Sequence, residues 1–315
     1  MNMLVLFFKF LILCLGSLPI RIRAILGRAL GIFVALFLMR ERKVATLQLK
    51  YLLGSPDPSW TAFRVFGSIG ESLFESLNLK PYLNRKGSAL TIIGKEWVAE
   101  ATAQRRPLVA LTGHTGNWDL MAAHMVSLGV PLATAARPSR YALVQSLLSW
   151  FRERYGVKVL WRTKGGGAKA IVSQFVEKNT VAALIDQDTR VSSIFVPFFG
   201  VPARTPSGLI TLARKHNAIL VSALNYRTAV GRYVIEIEPF APDLTLEEIA
   251  ILFNQRLEVL IRKYPEQWVW FHKRWRSSPI EGALTSAQYL ERLSSGKMAP
   301  SQHEPSAVSE NSRVG

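Results

Sequence analysis

An imidazole and a carboxylate lie five positions apart in the run Leu111-Thr-Gly-His-Thr-Gly-Asn-Trp-Asp-Leu120, as His114 and Asp119. On one continuous helix they would stand about 140° apart around the axis and could not share a face. If the apolar run 107–111 is a strand that breaks at Gly113, and Gly116-Asn117 opens a helix, Asp119 can fold back under His114. A carboxylate against one ring nitrogen fixes the tautomer and stabilises imidazolium, leaving the other nitrogen to take a proton. That is half of a Ser-His-Asp triad, in which a substrate hydroxyl can replace the serine. The chemistry it suits is acyl transfer from a thioester to an alcohol. A strand-end histidine making a structural hydrogen bond uses the same two residue types, so the spacing alone does not decide.

Other polar clusters fall at the ends of apolar runs. Residues 181–185 lead into Asp186-Gln187-Asp188, which fits either a metal pair or a carboxylate paired with arginine. No further ligand cluster accompanies it, so no metal is expected. Arg152 and Arg154 close a helical stretch, where they complement the dipole or bind an anion. Thr205-Pro206-Ser207 reads as an N-cap followed by proline at the first helical position, a helix start that offers N–H groups to an oxyanion or phosphate. Gly165-Gly166-Gly167 lacks both the P-loop Lys-Ser/Thr and the dinucleotide glycine spacing. His124 reads as core or surface filler.

These groups must be positioned by a framework, and one is legible. Residues 43–83 carry helical periodicity through Phe63, Phe66, Ile69, Leu73 and Leu77. From Ser88 onward the residues 90–93, 108–111, 132–136, 157–161, 181–185, 219–224 and 233–237 read as strands. Residues 117–129, 141–155, 167–178, 206–217 and 246–263 read as helices. The alternation predicts an α/β fold with a mixed central sheet flanked by helices. Ligands bind beyond the carboxyl ends of such strands, where His114 falls.

The chain has 315 residues, 49% of them hydrophobic, and 39 Lys and Arg against 22 Asp and Glu leave a charge of +17. An anionic partner follows. No nucleic-acid-binding signature is present, which leaves an anionic membrane, lipid or carrier. The single cysteine, Cys14, excludes a disulfide framework. Residues 3–20 are apolar except for Lys9, and Arg21, Arg23 and Arg28 follow; 24–39 form a shorter apolar run ending at Arg40-Glu-Arg-Lys43. No small-residue cleavage site favours a signal peptide. The expectation is an uncleaved membrane anchor, then an interface-lying helix, with the rest on the cytoplasmic side. Three regions result: 1–40 anchor, 41–282 catalytic domain, and 283–315 a disordered tail poor in apolar residues.

The assembled blocks resemble the late (lauroyl/myristoyl) acyltransferases of lipid A biosynthesis, a branch of the bacterial lysophospholipid acyltransferases. Five carry the likeness: the amino-terminal apolar segment; His114-x4-Asp119; Arg137-Pro138 with Arg152-Glu-Arg154; Asp186-Gln-Asp188 with Val196-Pro-Phe-Phe-Gly200 and Thr205; and Tyr264-Pro-Glu-Gln-Trp-Val-Trp-Phe-His-Lys-Arg-Trp275. The resemblance implies a glycerolipid-acyltransferase-like α/β fold at the inner membrane. It makes His114 the base, Asp119 its orienting carboxylate, and Arg152 an essential arginine paired with Asp186. Arg137, Arg152, Arg154 and Arg204 become candidates for substrate phosphates. The donor would be a thioester of acyl carrier protein or coenzyme A, a co-substrate, with no cofactor. Two departures stand out: an Asp where many lipid A enzymes have Glu, and Ser139-Arg140-Tyr141 in place of the usual Asn-Pro. They leave other lipid alcohols, such as a glycerophospholipid or a glycosylated inositol lipid, as alternative acceptors, with a thioesterase or an inactive lipid-binding protein behind them.

Overall fold

The computed structural model describes residues 3–84, 89–162 and 166–297. Among these residues five α-helices, with a π-helical turn at Leu49–Leu53 after the third, precede the first strand: α1 (Met3–Gly16), α2 (Ile20–Phe37), α3 (Met39–Gln48), α4 (Pro58–Ser76) and the single turn α5 (Lys80–Leu83). Strands and helices then alternate as β1 (Leu90–Ile93), α6 (Glu96–Ala103), β2 (Leu108–Thr112), α7 (Trp118–Ser127), β3 (Leu132–Ala136), α8 (Ala142–Glu153), β4 (Lys158–Trp161), α9 (Gly167–Val176) and β5 (Thr180–Leu184). After the hairpin β6 (Ser193–Phe198) and β7 (Val201–Pro206) come α10 (Gly208–Lys215), β8 (Ile219–Ala229), β9 (Arg232–Pro239) and α11 (Leu246–Lys263). The short strands β10 (Ser277–Ser278) and β11 (Gly282–Ala283) lead to α12 (Ser286–Ser294).

Seven strands form one sheet in the order β1-β9-β8-β2-β5-β3-β4. Only the β8–β9 pair is antiparallel, so the sheet is mixed, as the alternation predicts. Its centre is β2, buried at every residue because helices cover both faces. Two expectations from the sequence are revised at the edges. Residues 286–294, assigned to the tail on their thin apolar content, form α12; Thr285 and Gln288 close a capping box, and Tyr289 and Leu293 are fully buried. Tyr289 also donates to Gln48 Oε1 at 2.9 Å. The remainder of that segment, 298–315, lies outside the described residues, as does Gly165.

The N-terminal region is likewise not a separate unit. Helices α1 and α2 meet at 120°, and among the described residues no single helix is long and apolar enough to cross a membrane. Helix α2 packs on α4 through glycine: a Cβ at Gly31 would lie 2.1 Å from the Phe66 carbonyl oxygen, and one at Gly27 would lie 2.5 Å from that of Gly70. Arg23, wholly buried, donates to the carbonyls of Leu18, Glu75 and Asn78 and so closes the α4 carboxyl end. Arg28 reaches the buried Glu71 on α4 at 2.8 Å. The outer faces of α1 and α2 remain apolar, with Phe7, Phe10, Ile25, Phe33 and Phe37 each more than half exposed.

Candidate active site

Strand register builds the centre. In the parallel β2–β5 pair Thr112 stands opposite Leu184, so two residues further along each chain His114 meets Asp186. The Asp186 side chain is fully buried, and both its oxygens accept from N–H groups. Oδ1 takes His114 Nδ1 at 2.7 Å, while Oδ2 takes the His114 backbone N–H at 2.7 Å and Trp268 Nε1 at 2.8 Å. Burial by itself would raise the Asp186 pKa, but the His114 imidazole and these hydrogen bonds outweigh it and hold the carboxyl at about 2. An ionised Asp186 requires the proton on Nδ1, which leaves the lone pair on Nε2. The Trp118 ring stands edge-on to the imidazole at 5.1 Å.

Asp119 therefore does not orient His114, contrary to the sequence expectation. It is the second residue of α7, after the Asn117 cap, and there accepts from Arg152 Nε of α8 at 3.1 Å. The expected Arg152–Asp186 pair is likewise replaced. The four residues expected to act together do lie together, with partners exchanged: His114 with Asp186, and Asp119 with Arg152.

The loop holding His114 is tied down on every side. Gly113 is closely packed: a Cβ would stand 3.2 Å from Leu257 and 3.3 Å from Asp186 Oδ2, so those side chains would have to shift to admit one. Gly116 needs its positive φ of 54°, and a Cβ there would meet the Asn225 carbonyl oxygen at 2.8 Å. Ser72 of α4 donates to the Gly116 carbonyl at 2.9 Å, and Asn225 Nδ2 to that of Asn117 at 2.6 Å. Ser72 is in turn held by Arg227 Nη2 at 2.7 Å, within a buried network with Glu71, Glu75 and Tyr233. From the other side Thr115 bridges Trp268, and Gly116 N–H donates to the Gln267 carbonyl at 3.2 Å. This is the role of the aromatic-basic block near the carboxyl end. Trp268, Trp270 and Trp275 are buried against Phe198 and Phe199, and Arg274 donates to Thr205 Oγ1 and to the Arg204 carbonyl.

Two cavities meet beside Trp118, the ring neighbour of His114. One is an open cleft of about 1400 Å³ whose walls include His114, Arg137, Arg152, Arg162, Arg190, His272, Lys273 and Arg276. The other is a narrow apolar pocket between α7 and the sheet, lined by Ala110, Met121, Met125, Leu132, Ala182 and Ala223 among others. Trp118, Ala135, Ala136, Arg152 and Leu184 line both, so the pocket opens into the cleft beside the Asp119–Arg152 pair.

Not every candidate reaches this place. Arg137 and Arg152 line the cleft; Arg154 and Arg204 do not. Arg154 lies over the Trp150 and Tyr155 rings, and Arg204 Nη2 donates to the Val191 carbonyl at 3.3 Å. Thr205 is a buried residue of β7 and not an N-cap; Ser207 precedes α10 and Pro206 ends the strand. Asp188 accepts from Ser277 N–H at 2.9 Å, a tie between the β5 end and the C-terminal block. Arg162, Arg190 and Arg276 carry no signal in the sequence because isolated loop cations form no pattern, and Lys273 was quoted only as part of the aromatic-basic block. Trp268 and His272 stood inside the most specific block, where nothing in the sequence said which side chains face the site.

The chain matches, over residues 2–277, the sequence model of the family described as bacterial lipid A biosynthesis acyltransferase. A lipid A biosynthesis acyltransferase of Haemophilus influenzae is 26% identical to it over 276 residues, 83% of this chain and 84% of the relative. A lipid A biosynthesis lauroyltransferase of Escherichia coli is 27% identical over 273 residues, 84% and 88% of the two chains. A phosphatidylinositol mannoside acyltransferase of Mycolicibacterium smegmatis is 24% identical over 196 residues, 61% and 64%. With a match this long, the chain belongs to the bacterial lipid A biosynthesis acyltransferase family.

Proposed function

We propose that this protein moves a fatty acyl chain from an acyl thioester to a hydroxyl of a lipid A precursor, working on the cytoplasmic face of the inner membrane. The observation that carries this reading is His114, whose Nδ1 is held by a buried carboxylate beside the junction of a cationic cleft and an apolar pocket. The acyl chain enters the pocket between α7 and the sheet, which brings its thioester carbonyl to the mouth. The acceptor lies in the cleft, where Arg137 and Arg152 receive its anionic groups. Nε2 of His114 takes the hydroxyl proton as that oxygen attacks the carbonyl carbon, and the proton then passes to the departing thiolate. Asp119 holds Arg152 at the mouth. The thioester, of acyl carrier protein or coenzyme A, is a co-substrate, and the chemistry asks for no metal or prosthetic group.

The test is transfer by purified protein from both thioesters to a panel of acceptors: a lipid A precursor, a phosphatidylinositol mannoside and a lysophospholipid. Acylation of the first, lost by about 10²–10⁴ in His114→Ala, is the expected result. Preferential acylation of the mannoside, to which the mycobacterial relative draws attention, would move the acceptor and keep the chemistry. Full activity in His114→Ala would end the mechanism.

A further inference from the structure

His272 lies four residues beyond Trp268, the indole that braces Asp186, and it lines the same cleft as His114. Its backbone is fixed: the carbonyl accepts from Gln48 Nε2 at 3.1 Å and from Arg274 N–H at 3.0 Å. The ring Nδ1 is buried without a hydrogen-bond partner, although the residue as a whole is half-buried. The edge of the ring open to the cleft is thus the one that carries Nε2. Burial, with Asp186 opposing it, holds the ring's pKa at about 4, so the imidazole is neutral at physiological pH. A neutral ring has one proton to place. A buried, unpartnered N–H is rarer than an unpartnered acceptor, which puts the proton on Nε2 and aims an N–H into the cleft.

A neutral donor adds little for groups that arrive already charged, and the guanidinium groups of Arg137, Arg152, Arg162, Arg190 and Arg276 serve those. It matters for an oxygen that acquires charge during the reaction. We propose that His272, through Nε2–H, is a second catalytic residue, donating to the thioester carbonyl oxygen and holding the oxyanion of the tetrahedral intermediate. The step balances: as the acceptor oxygen bonds to the carbonyl carbon, His114 takes its proton and the carbonyl π pair moves onto the oxygen facing His272. That pair returns as the carbon–sulfur bond breaks, and the proton on His114 goes to the thiolate. The assignment rests on the acyl-transfer reading above.

The experiment compares His272→Phe, which removes the donor, with His272→Gln, which restores an N–H, in full-length protein. Wild-type transfer is measured first, so a failure of the parent reading is seen separately. His272→Phe should lower kcat by about 10²–10³ with both KM values within about threefold, and His272→Gln should recover part of that loss. Attack by water passes through the same oxyanion, so acceptor-free hydrolysis of the thioester should fall by a similar factor. Wild-type kcat in His272→Phe overturns the proposal. So does a loss confined to acceptor KM, or a loss of transfer with hydrolysis unchanged, either of which would make His272 an acceptor-binding group. Thermal melts accompany each variant; if His272→Phe does not fold, His272→Leu reads the same outcomes.

Discussion

Asp186 holds the His114 imidazole, while Asp119 holds Arg152 at the mouth of the apolar pocket. Spacing named His114 and Asp119, and a strand end and a helix end named Asp186 and Arg152, but pairing depends on which strand lies beside β2, and no local pattern encodes the neighbour. With Nδ1 held by Asp186, Asp186→Asn should present the wrong tautomer and lower kcat by about 10⁴. Asp119→Asn should lose less, since it acts through Arg152. Arg152→Lys gives up the Nε donor that engages Asp119, so a loss of at least about tenfold in kcat/KM is expected, roughly 1.4 kcal/mol, with little change in Tm. Steady-state kinetics on the three variants checks the order. Acid titration gives a second check. The Asp186 pKa is lower in the folded chain, about 2 against an ordinary 3.8, so its contribution is complete above about pH 4 and is lost as pH falls towards 2. The expected loss is on the order of 2 kcal/mol. Between pH 5 and pH 2.5, urea unfolding should show a larger loss in wild type than in Asp186→Asn, the difference being the Asp186 part. His272 acts in a separate window: with its folded pKa lowered from 6.5 to about 4, stability falls as pH drops through that interval, and His272→Phe should remove this dependence.

At the scale of elements, the seven sheet strands were legible because each is a short apolar run bounded by turn residues, and α4 and α7–α11 because their apolar positions recur at three and four. The short α6 and α12 were not read. Nor was the β6–β7 hairpin. Residues 193–206 were not read as strands, and Pro206 was read as the first position of a helix; proline is tolerated at Pro197, Pro202 and Pro206 because the two strands pair only with each other. Their turn is Phe199-Gly200, both at positive φ, with Phe199 N–H held by Glu258 Oε1 at 2.6 Å. Alanines on the sheet were legible as strand but not as cavity wall, since their small size has meaning only once α7 lies opposite. Ala110, Ala182 and Ala223 leave the space of the apolar pocket. Ala182→Leu should fill part of it and shift donor preference to shorter chains, each methylene excluded costing about 0.8 kcal/mol, or roughly fourfold. Competition between thioesters of graded length reads that shift, and an unchanged preference would place the chain elsewhere. The contact between α2 and α4 predicts a different failure. Gly31→Ala forces a methyl against the Phe66 carbonyl, so the helices must part, at about 1–3 kcal/mol. A lower Tm and new proteolytic cutting between α3 and α4 would report it.

For the whole molecule, charge and apolar surface point the same way. The chain carries +17, and the helices joined at 120° present their apolar side chains outward while their small and polar residues face the domain. The same helices are built into the fold: Arg28 joins the Glu71–Arg227 network that reaches Ser72 and the carbonyl of Gly116. The apolar character of the segment was legible in the sequence. Its attachment to the domain was not, because Gly27, Gly31 and Gly70 declare a close approach only when the opposing helix is in place. An in-plane arrangement makes a prediction that a separate spanning anchor does not. Phe33→Glu with Phe37→Glu leaves the α2–α4 contact intact and removes two exposed side chains, each worth about 1.5–3 kcal/mol when fully buried in lipid. Partition onto neutral vesicles should fall by at least about 10² for the pair. Onto anionic vesicles at low salt the variant should still bind through its positive charge, and that residual binding should vanish as salt rises and the Debye length drops below about 10 Å. Wild-type protein should stay on neutral vesicles in high salt. A double variant that also stays there would transfer the membrane contact from the outward face of α2 to α1 alone.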